Sequence, residues 1–208
     1  MDPWLLIILD MLGTFAFATS GAAAAKERQL DWFGVFTVAY LTACGGGILR
    51  DLVLGTVPPV GITEWRYVVC VAAASVLTVG AGAWVERLEH PVKWFDSVGL
   101  GFFAVVGAHQ ALRHGAGVPA AVIVGVVAAV GGGVMRDVLL NRVPVILEKE
   151  IYALAALGAA VIQVVSQVND GPLGVTQGVA IGTCLGIRFL ALRYAWSLPV
   201  AGGGRGPG

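Results

Sequence analysis

Ionisable side chains occupy two matching places in an otherwise apolar sequence. Each place is a glycine triplet that is followed, after two further residues, by an arginine and an aspartate. The two strings are Gly45-Gly46-Gly47 with Arg50 and Asp51, and Gly131-Gly132-Gly133 with Arg136 and Asp137. Because a charge inside an apolar span is costly, such residues are typical of an ion or solute pathway. The alternative is that the arginines extend to a membrane interface as structural anchors.

Two further aspartates belong to the same pattern. Asp10 lies about a third of the way into the first apolar stretch, and Asp96 lies near the start of the fourth. Both are candidates to attract cations or to pair with the arginines. Asp96 has a second explanation, because an aspartate at the start of a helix commonly caps it. Adjacent helical residues point in different directions, so we expect Arg50 and Asp51 to reach other helices rather than each other.

The composition excludes the common soluble classes of protein. Of the 208 residues, 57% are hydrophobic and 12% are charged. A soluble domain carries about 25% charged residues, so this chain has too few to cover a water-facing surface. The 13 basic and 13 acidic residues cancel, which leaves no net field to recruit a nucleic acid. The sequence has no recognisable catalytic string and no cysteine spacing typical of a metal site, so we expect neither an enzyme nor a cofactor.

Seven apolar stretches predict membrane-spanning helices, since a span needs about 20 mostly apolar residues. They cover residues 4–24, 33–54, 67–85, 95–111, 118–140, 151–168 and 173–194. The sequence therefore predicts an all-α integral membrane protein with seven transmembrane helices. The Gly- and Pro-rich residues 197–208 are expected to form a disordered tail.

The first six stretches form two copies of one three-helix unit. A shift of 86 residues superposes the two glycine–arginine–aspartate strings, places Asp10 on Asp96, and places Val57-Pro58 on Val143-Pro144. Three spans are an odd number, so the second copy enters the membrane from the opposite side. The copies are then related by a pseudo-twofold axis in the membrane plane. The expected organisation is a first repeat at 4–90, a second, inverted repeat at 91–170 and a seventh helix at 171–196.

The basic residues predict the orientation in the membrane. When the loops alternate between the two faces, eight Lys and Arg residues lie on one face and two on the other. The richer face is expected to be cytoplasmic, which puts the N-terminus outside and the C-terminus inside. We therefore expect a multi-pass protein of the inner (plasma) membrane, in contact with membrane lipid.

The glycine triplets lie near the middle of the second and fifth stretches. Each glycine costs about 1 kcal/mol relative to alanine inside a helix, so three together predict a kink or an unwound turn that lines a pathway. The alternative is close packing of two helices through small residues. The seventh stretch carries Gly174, Gly178, Gly182 and Gly186, which predicts a helix face that another helix can approach closely.

Two three-span units, each with a glycine triplet, Arg-Asp and a following Val-Pro pair, resemble the bacterial and archaeal trimeric intracellular cation channels. The repeated unit of that family carries the label glycine-transporter domain. The resemblance covers residues 4–194 and implies seven spans, an outside N-terminus, a homotrimer, and one pore per subunit for potassium and sodium. In the family the pore runs between the two repeats and is bounded in part by the second and fifth helices.

The resemblance implies pore and gating roles for residues of both strings. They are Gly45, Gly46, Gly47, Arg50, Asp51, Gly131, Gly132, Gly133, Arg136 and Asp137, with Asp10 and Asp96 as secondary candidates. Animal members have a lysine-centred motif after the glycines of the fifth helix and bind a phosphoinositide. This chain has Arg136-Asp137 there, so the resemblance does not imply that kind of lipid regulation. The ligands expected are permeant potassium and sodium ions and bound membrane lipid.

The residues alone leave two functions open. Inverted repeats with broken helices serve passive cation channels and also secondary transporters of a small solute such as glycine. Two arginines near a pathway would by themselves favour anions. The family resemblance, with Asp10 and Asp96 as balancing charges, favours the cation channel. A membrane scaffold without transport would leave the doubled charged string unexplained.

Overall fold

A computed structural model gives the fold for residues 3–80, 90–147, 151–194 and Trp196. These residues form α-helices and no β-strand. The helices are α1 (Pro3–Glu27), α2 (Trp32–Val53), α3 (Val60–Thr63), α4 (Trp65–Gly80), α5 (Pro91–Arg113), α6 (Val118–Leu139), α7 (Tyr152–Val168) and α8 (Leu173–Arg193). A short 3-10 helix covers Val145–Leu147. The predicted all-α fold is confirmed, and the expected tail at 197–208 lies outside the described residues.

Seven of these helices correspond to the seven apolar stretches, and α3 is a single helical turn after α2. By length and composition, five of them could cross a membrane, namely α1, α2, α5, α6 and α8. The third helix of each repeat is shorter, with 16 described residues in α4 and 17 in α7. Both short helices are apolar as well.

Local sequence explains where several helices begin. The Asp31 side chain accepts a hydrogen bond of 2.7 Å from the backbone N–H of Gly34, which caps α2. Proline occupies the first turn of α5 and of α6, where a missing N–H costs nothing.

An aromatic contact joins the seventh span to the second repeat. Trp94 in α5 packs against Phe189 of α8, with ring centroids 5.5 Å apart.

The two repeats end their helices in the same backbone conformation. Gln29 and Gly115, which stand 86 residues apart, both have a positive φ after the first helix of their repeat. Gly55 and Asn141, also 86 apart, do the same after the second helix. The shared left-handed turns show that the copies fold alike even where the residue types differ.

The copies pack on each other in antiparallel pairs, α1 with α5 and α2 with α6. Gly13 of α1 lies against Phe103 of α5, and Gly99 of α5 lies against Phe17 of α1. As residue numbers rise in one helix, they fall in its partner. A pseudo-twofold axis therefore relates the repeats, as the odd number of spans predicts.

The outward faces of the bundle are apolar. Large side chains such as Ile8, Val69, Val76 and Ile123 are half exposed or more. Meanwhile charged and polar groups lie inside, Arg50, Asp51, Arg136 and Asp137 among them. This inside-out distribution is what a protein solvated by lipid requires, because hydrocarbon cannot hydrogen-bond a polar group.

Candidate functional site

The middle glycine of each triplet makes a direct backbone contact between the repeats. A Cβ atom on Gly46 would collide with the carbonyl oxygen of Ala128, and one on Gly132 would collide with the carbonyl oxygen of Thr42. Thr42 and Ala128 also stand 86 residues apart, so the two contacts are equivalent under the pseudo-twofold. Glycine is needed at both places because the backbones of α2 and α6 touch.

Of the kink and the unwound turn expected at the triplets, the unwound turn is wrong, and the kink stays a prediction. The helices α2 and α6 stay α-helical through Gly45–Gly47 and Gly131–Gly133. Close packing, the alternative, is what the structure shows. Glycine lowers helix propensity by a small amount per residue, and two long helices packed backbone to backbone outweigh that cost.

A stacked aromatic pair lies between the two arginines. The rings of Phe17 and Phe103 are nearly parallel, at 9°, with centroids 5.4 Å apart. Both side chains are buried. Phe103 lies beside Gly47, one turn before Arg50, and Phe17 lies beside Gly132, about one turn before Arg136. The stack thus places two apolar rings beside both glycine triplets.

One arginine is held from several sides in what we term the Arg136 cluster, which comprises Arg136, Asp137, Asp96, Ser20 and Tyr152. Arg136 Nε donates to Asp137 Oδ1 at 2.8 Å, and Nη1 lies 2.5 Å from Asp96 Oδ1. The same Nη1 donates to the Ser20 hydroxyl at 2.7 Å. Tyr152 is buried next to these groups. The cluster joins α1, α5, α6 and α7.

The equivalent Arg50 cluster comprises Arg50, Asp51, Asp10 and Tyr67. Arg50 Nε donates to Asp51 Oδ1 at 2.8 Å, as in the other repeat. The Tyr67 hydroxyl donates to Asp10 Oδ2. Arg50 Nη1, however, lies 3.7 Å from Asp10 Oδ1, which is beyond hydrogen-bond distance. The predicted proximity of each arginine to Asp10 or Asp96 is therefore met in both repeats, loosely in one and tightly in the other.

The expectation that adjacent arginine and aspartate do not pair is wrong. Arg50 pairs with Asp51, and Arg136 pairs with Asp137, each through Nε. The helix does direct the two Cβ atoms apart, but the long arginine stem folds back so that Nε reaches the short carboxylate beside it. The expectation that the arginines also reach other helices holds, since Arg136 contacts α5 and α1. The cap explanation for Asp96 fails, because Asp96 lies in the second turn of α5.

The second aspartate oxygen of each string holds the following loop. Asp51 Oδ2 accepts the backbone N–H of Val60 at 2.9 Å, and Asp137 Oδ2 accepts that of Val145 at 3.2 Å. Each N–H belongs to the short helical turn that comes after a Val-Pro pair. The loop that follows each Val-Pro pair is therefore tied to the aspartate of its own repeat, which the sequence separation does not reveal.

Sequence reasoning missed three members of the clusters. Tyr67 and Tyr152 are equivalent but stand 85 residues apart, so a register of 86 without gaps does not align them. Allowing one gap after the Val-Pro pairs would have found them. Ser20 has no signal at all, because the residue 86 positions later is Val106. Its role depends on the fold alone.

Two cavities open beside the clusters. A cavity of about 450 Å³ lies beside the Arg136 cluster, and its lining includes Lys93, Asp96, Arg136, Asp137, Arg142 and Arg188. A cavity of about 130 Å³ lies beside the Arg50 cluster, and its lining includes Asp10, Val60, Arg66, Tyr67 and Gln110. The aromatic stack lies between the two arginines. Over the described ranges, no group of three or more His, Cys, Asp or Glu residues is placed to hold a metal ion.

Three of the four glycines on the α8 face have open space beside them in the described part of the chain. A Cβ atom on Gly178, Gly182 or Gly186 would meet nothing within 4 Å, whereas one on Gly174 would lie 3.9 Å from Leu5 Cδ2. The close approach of another helix to this face stays a prediction.

Known proteins resemble this chain over nearly its whole length. The sequence model of a family described as "Glycine transporter" matches residues 7–82 and 93–167, once for each repeat. The inner membrane protein YadS of Escherichia coli is 35% identical over 196 residues, which are 92% of this chain and 93% of that protein.

Solved structures share the fold. The trimeric intracellular cation channel orthologue from Rhodobacter sphaeroides superposes with a TM-score of 0.87 at 34% identity, over 92% of this chain and 98% of that one. A second structure, of a trimeric intracellular cation (TRIC) channel, superposes with a TM-score of 0.85 at 35% identity, over 96% of this chain and 98% of that one.

Proposed function

Because the chain belongs to the glycine-transporter-domain family, the family of the trimeric intracellular cation channels, we propose that it is a membrane channel for monovalent cations such as potassium and sodium. The proposed pathway lies within one subunit, between the inverted repeats. It leads from the Arg50 cavity to the Arg136 cavity past the aromatic stack. The solved relatives are named as channels, which does not favour the alternative of a secondary transporter for glycine.

The observation that carries this proposal is the pair of buried ion clusters at opposite ends of the same bundle. In each cluster the arginine pairs with the aspartate of its own string and lies near a second aspartate on another helix. At the Arg50 cluster the aspartates outnumber the arginine, and a buried surplus of negative charge favours a cation over an anion. At the other end the buried Arg188, 4.9 Å from the Tyr152 ring centroid, brings the charges of the Arg136 cluster to balance. The arginines, which alone would favour anions, are neutralised by their own aspartates.

We propose that this structure is the closed state of the channel. The Phe17–Phe103 stack and the Gly46–Ala128 backbone contact leave the centre closely packed. Arg136 occupies the carboxylate of Asp96, where a passing cation would otherwise bind. We propose that opening separates the stack and moves the arginines to other partners, a two-state change that voltage or ions could bias.

We further propose the assembly and the setting of the channel. The Rhodobacter sphaeroides relative is described as trimeric, and we propose a homotrimer here too, with membrane lipid as the other partner. Escherichia coli YadS is an inner membrane protein, and we propose the inner membrane for this chain, with the N-terminus outside. In that orientation the Arg50 cluster faces the outside and the Arg136 cluster faces the cytoplasm.

The deciding experiment places the purified full-length protein in a planar lipid bilayer between unequal KCl solutions. A cation channel gives unitary currents whose reversal potential lies near the potassium equilibrium potential. Flux of glycine without unitary currents would support the transporter instead. A reversal potential near that of chloride would refute cation selectivity.

A further inference from the structure

The two ion clusters differ in how the arginine Nη1 and the second aspartate are bonded. In the Arg136 cluster, Nη1 is bonded to both Asp96 and Ser20, and the Tyr152 hydroxyl is the buried atom without a partner among the described residues. In the Arg50 cluster, Arg50 Nη1 and Asp10 Oδ1 are both buried and have no hydrogen-bond partner among the described residues. A buried carboxylate oxygen without a partner is costly, so this atom is placed to gain a ligand.

The sequence explains why the two clusters differ. Ser20 supplies the hydroxyl that bonds Arg136, and the residue at the equivalent position of the second repeat is Val106, which has no polar side-chain group. The cavity beside Arg50 has instead the amide of Gln110, whose equivalent in the other repeat is Ala24. The second repeat therefore has no hydroxyl at the position of Ser20, but it has at Gln110 an amide that could bind a ligand.

Asp10 is both buried and directed at a space of suitable size. It is only 6% exposed, and it lines the cavity of about 130 Å³ together with Tyr67 and Gln110. Tyr67 fixes the carboxylate by donating to Oδ2, which leaves Oδ1 for a ligand. The volume admits a cation with a few water molecules.

The charges around the cavity favour a cation as well. Arg66, the basic residue on its lining, pairs with Glu64 at 3.1 Å, so its charge is locally balanced. Arg50 is balanced by Asp51 at 2.7 Å. The Asp10 carboxylate is then the charge left over by these two closer pairs, with Arg50 Nη1 as a loose partner at 3.7 Å.

We propose that a permeant monovalent cation binds at Asp10 Oδ1 in the Arg50 cavity, with the Gln110 amide oxygen as a further ligand. This inference rests on the channel function proposed above and names the place where the permeant ion is held. Oxygen ligands of this kind replace part of the hydration shell of potassium or sodium. Arg50 Nη1 lies 3.7 Å from the same oxygen, so the cation and the guanidinium compete for Asp10. At the other end Arg136 has already taken the equivalent oxygen of Asp96, and no cation binds there in the closed channel.

The test measures binding without conduction. The full-length protein in detergent is unfolded by heat in potassium chloride and in N-methyl-D-glucamine chloride of equal concentration. A ligand that binds only the folded state raises the melting temperature, here by about 2–4 °C at a potassium concentration about five times its dissociation constant. Asp10→Asn should abolish this potassium-dependent rise, and the matched variant Asp96→Asn should keep it. The rise is the difference between the melting temperatures of one variant in the two salts, so a general loss of stability of that variant cancels.

A second variant guards against misfolding of Asp10→Asn. Gln110 is half-buried at the cavity wall, and Gln110→Leu should leave the fold intact while raising the half-saturating potassium concentration several-fold. The proposal is overturned if the wild-type protein shows no potassium-dependent rise. It is equally overturned if Asp10→Asn and Gln110→Leu both keep the wild-type rise, or if Asp96→Asn removes it. Bilayer currents test the channel function separately. A protein that conducts potassium but shows no potassium-dependent rise would refute the cation site and leave the channel function standing.

Discussion

At the scale of single residues, the guanidinium of Arg136 is the most heavily bonded ionisable group of the two clusters. It is buried and bonded to Asp137, Asp96 and Ser20. Removing one member of a buried ion pair leaves the other charge uncompensated, at a cost of about 3–5 kcal/mol. We therefore regard Arg136 as a residue that holds the closed state and also stabilises the fold.

We predict that Arg136→Ala strongly changes the open probability while potassium-over-chloride selectivity remains. The arginine pairs with Asp96 and with Asp137, so its charge is neutralised locally and we do not expect it to set the sign of the permeant ion. Arg136→Lys should fall between this variant and the wild type, since lysine keeps the charge and loses the planar fork. Single-channel recording measures both quantities.

Arg50→Ala is the matched control, and its effect on open probability should be smaller, because Arg50 lacks the short contacts to an aspartate on another helix and to a serine. Unchanged gating in both Arg136 variants would leave Arg136 as a structural anchor. An inverted selectivity would show that it sets the charge of the permeant ion.

The hydroxyl of Ser20 offers a second test of the bonds that hold Arg136 in the proposed closed state. A hydrogen bond to a charged group contributes about 1.5–3 kcal/mol. If the bond exists only in the closed state, Ser20→Ala should shift the closed–open equilibrium toward open by about ten- to hundredfold. Val106→Ser is the converse variant, because it offers Arg50 the hydroxyl that its cluster lacks, and it should lower the open probability. Equal open probabilities for wild type and Ser20→Ala would mean that this bond persists in the open state.

At the scale of helices, the contact of α2 with α6 depends on two missing side chains. A methyl group at Gly46 or Gly132 would strike a backbone carbonyl of the opposite helix, and a backbone cannot turn aside as a side chain can. The helices would have to separate along the line that joins the two repeats. Both positions should therefore tolerate no larger residue.

We predict that Gly46→Ala and Gly132→Ala each lower the melting temperature of the detergent-solubilised protein by several degrees. Overpacking of this kind typically costs about 1–3 kcal/mol, and about 1 kcal/mol corresponds to roughly 2–4 °C in a chain of this size. Gly158→Ala in α7 is the control, because its Cβ would find only Ile187 Cδ1, at 3.9 Å. That variant should match the wild type or gain stability from better helix propensity. A wild-type melting temperature for Gly46→Ala would show that α2 and α6 can separate freely.

At the scale of the whole molecule, the inverted arrangement fixes which loops share a face. The antiparallel contacts of α1 with α5 and of α2 with α6 place the two repeats head to tail. The Arg142–Glu27 ion pair, at 3.0 Å, joins the loops of the two repeats at one end. At the other end, Thr56 and His114 approach to 3.3 Å at the positions equivalent to Arg142 and Arg28.

We predict that a topology reporter in the Lys26–Asp31 loop reads cytoplasmic and that one at Asn169–Gly171 reads external. The excess of Lys and Arg on the first of these faces sets the direction. Cysteine accessibility to a membrane-impermeant reagent in intact cells and in inverted vesicles measures both positions. Finding the two loops on the same side of the membrane would contradict the inverted repeat. Finding both reversed would contradict only the orientation.

The sequence by itself determined the class of the protein and its symmetry. Apolar spans and scarce charge dictate a membrane protein, and the doubled strings dictate two inverted copies, because an odd number of spans must reverse direction. It also identified Arg50, Arg136, Asp10 and Asp96 as a set, since ionisable residues in apolar spans need partners. All of this depends on local composition and on spacing along the chain.

Only the tertiary structure decided which of the possible contacts form. Whether a glycine triplet unwinds or packs depends on the distance to the opposite helix, and that distance is fixed by the whole bundle. The pairing of Arg50 with Asp51 depends on a side-chain conformation that helix geometry alone does not select. One difference between the two clusters is the hydroxyl of Ser20 that bonds Arg136, since the equivalent residue Val106 has none. Contacts between residues distant along the chain are set by packing, so only the folded molecule shows that the two halves of a symmetric sequence are chemically unequal.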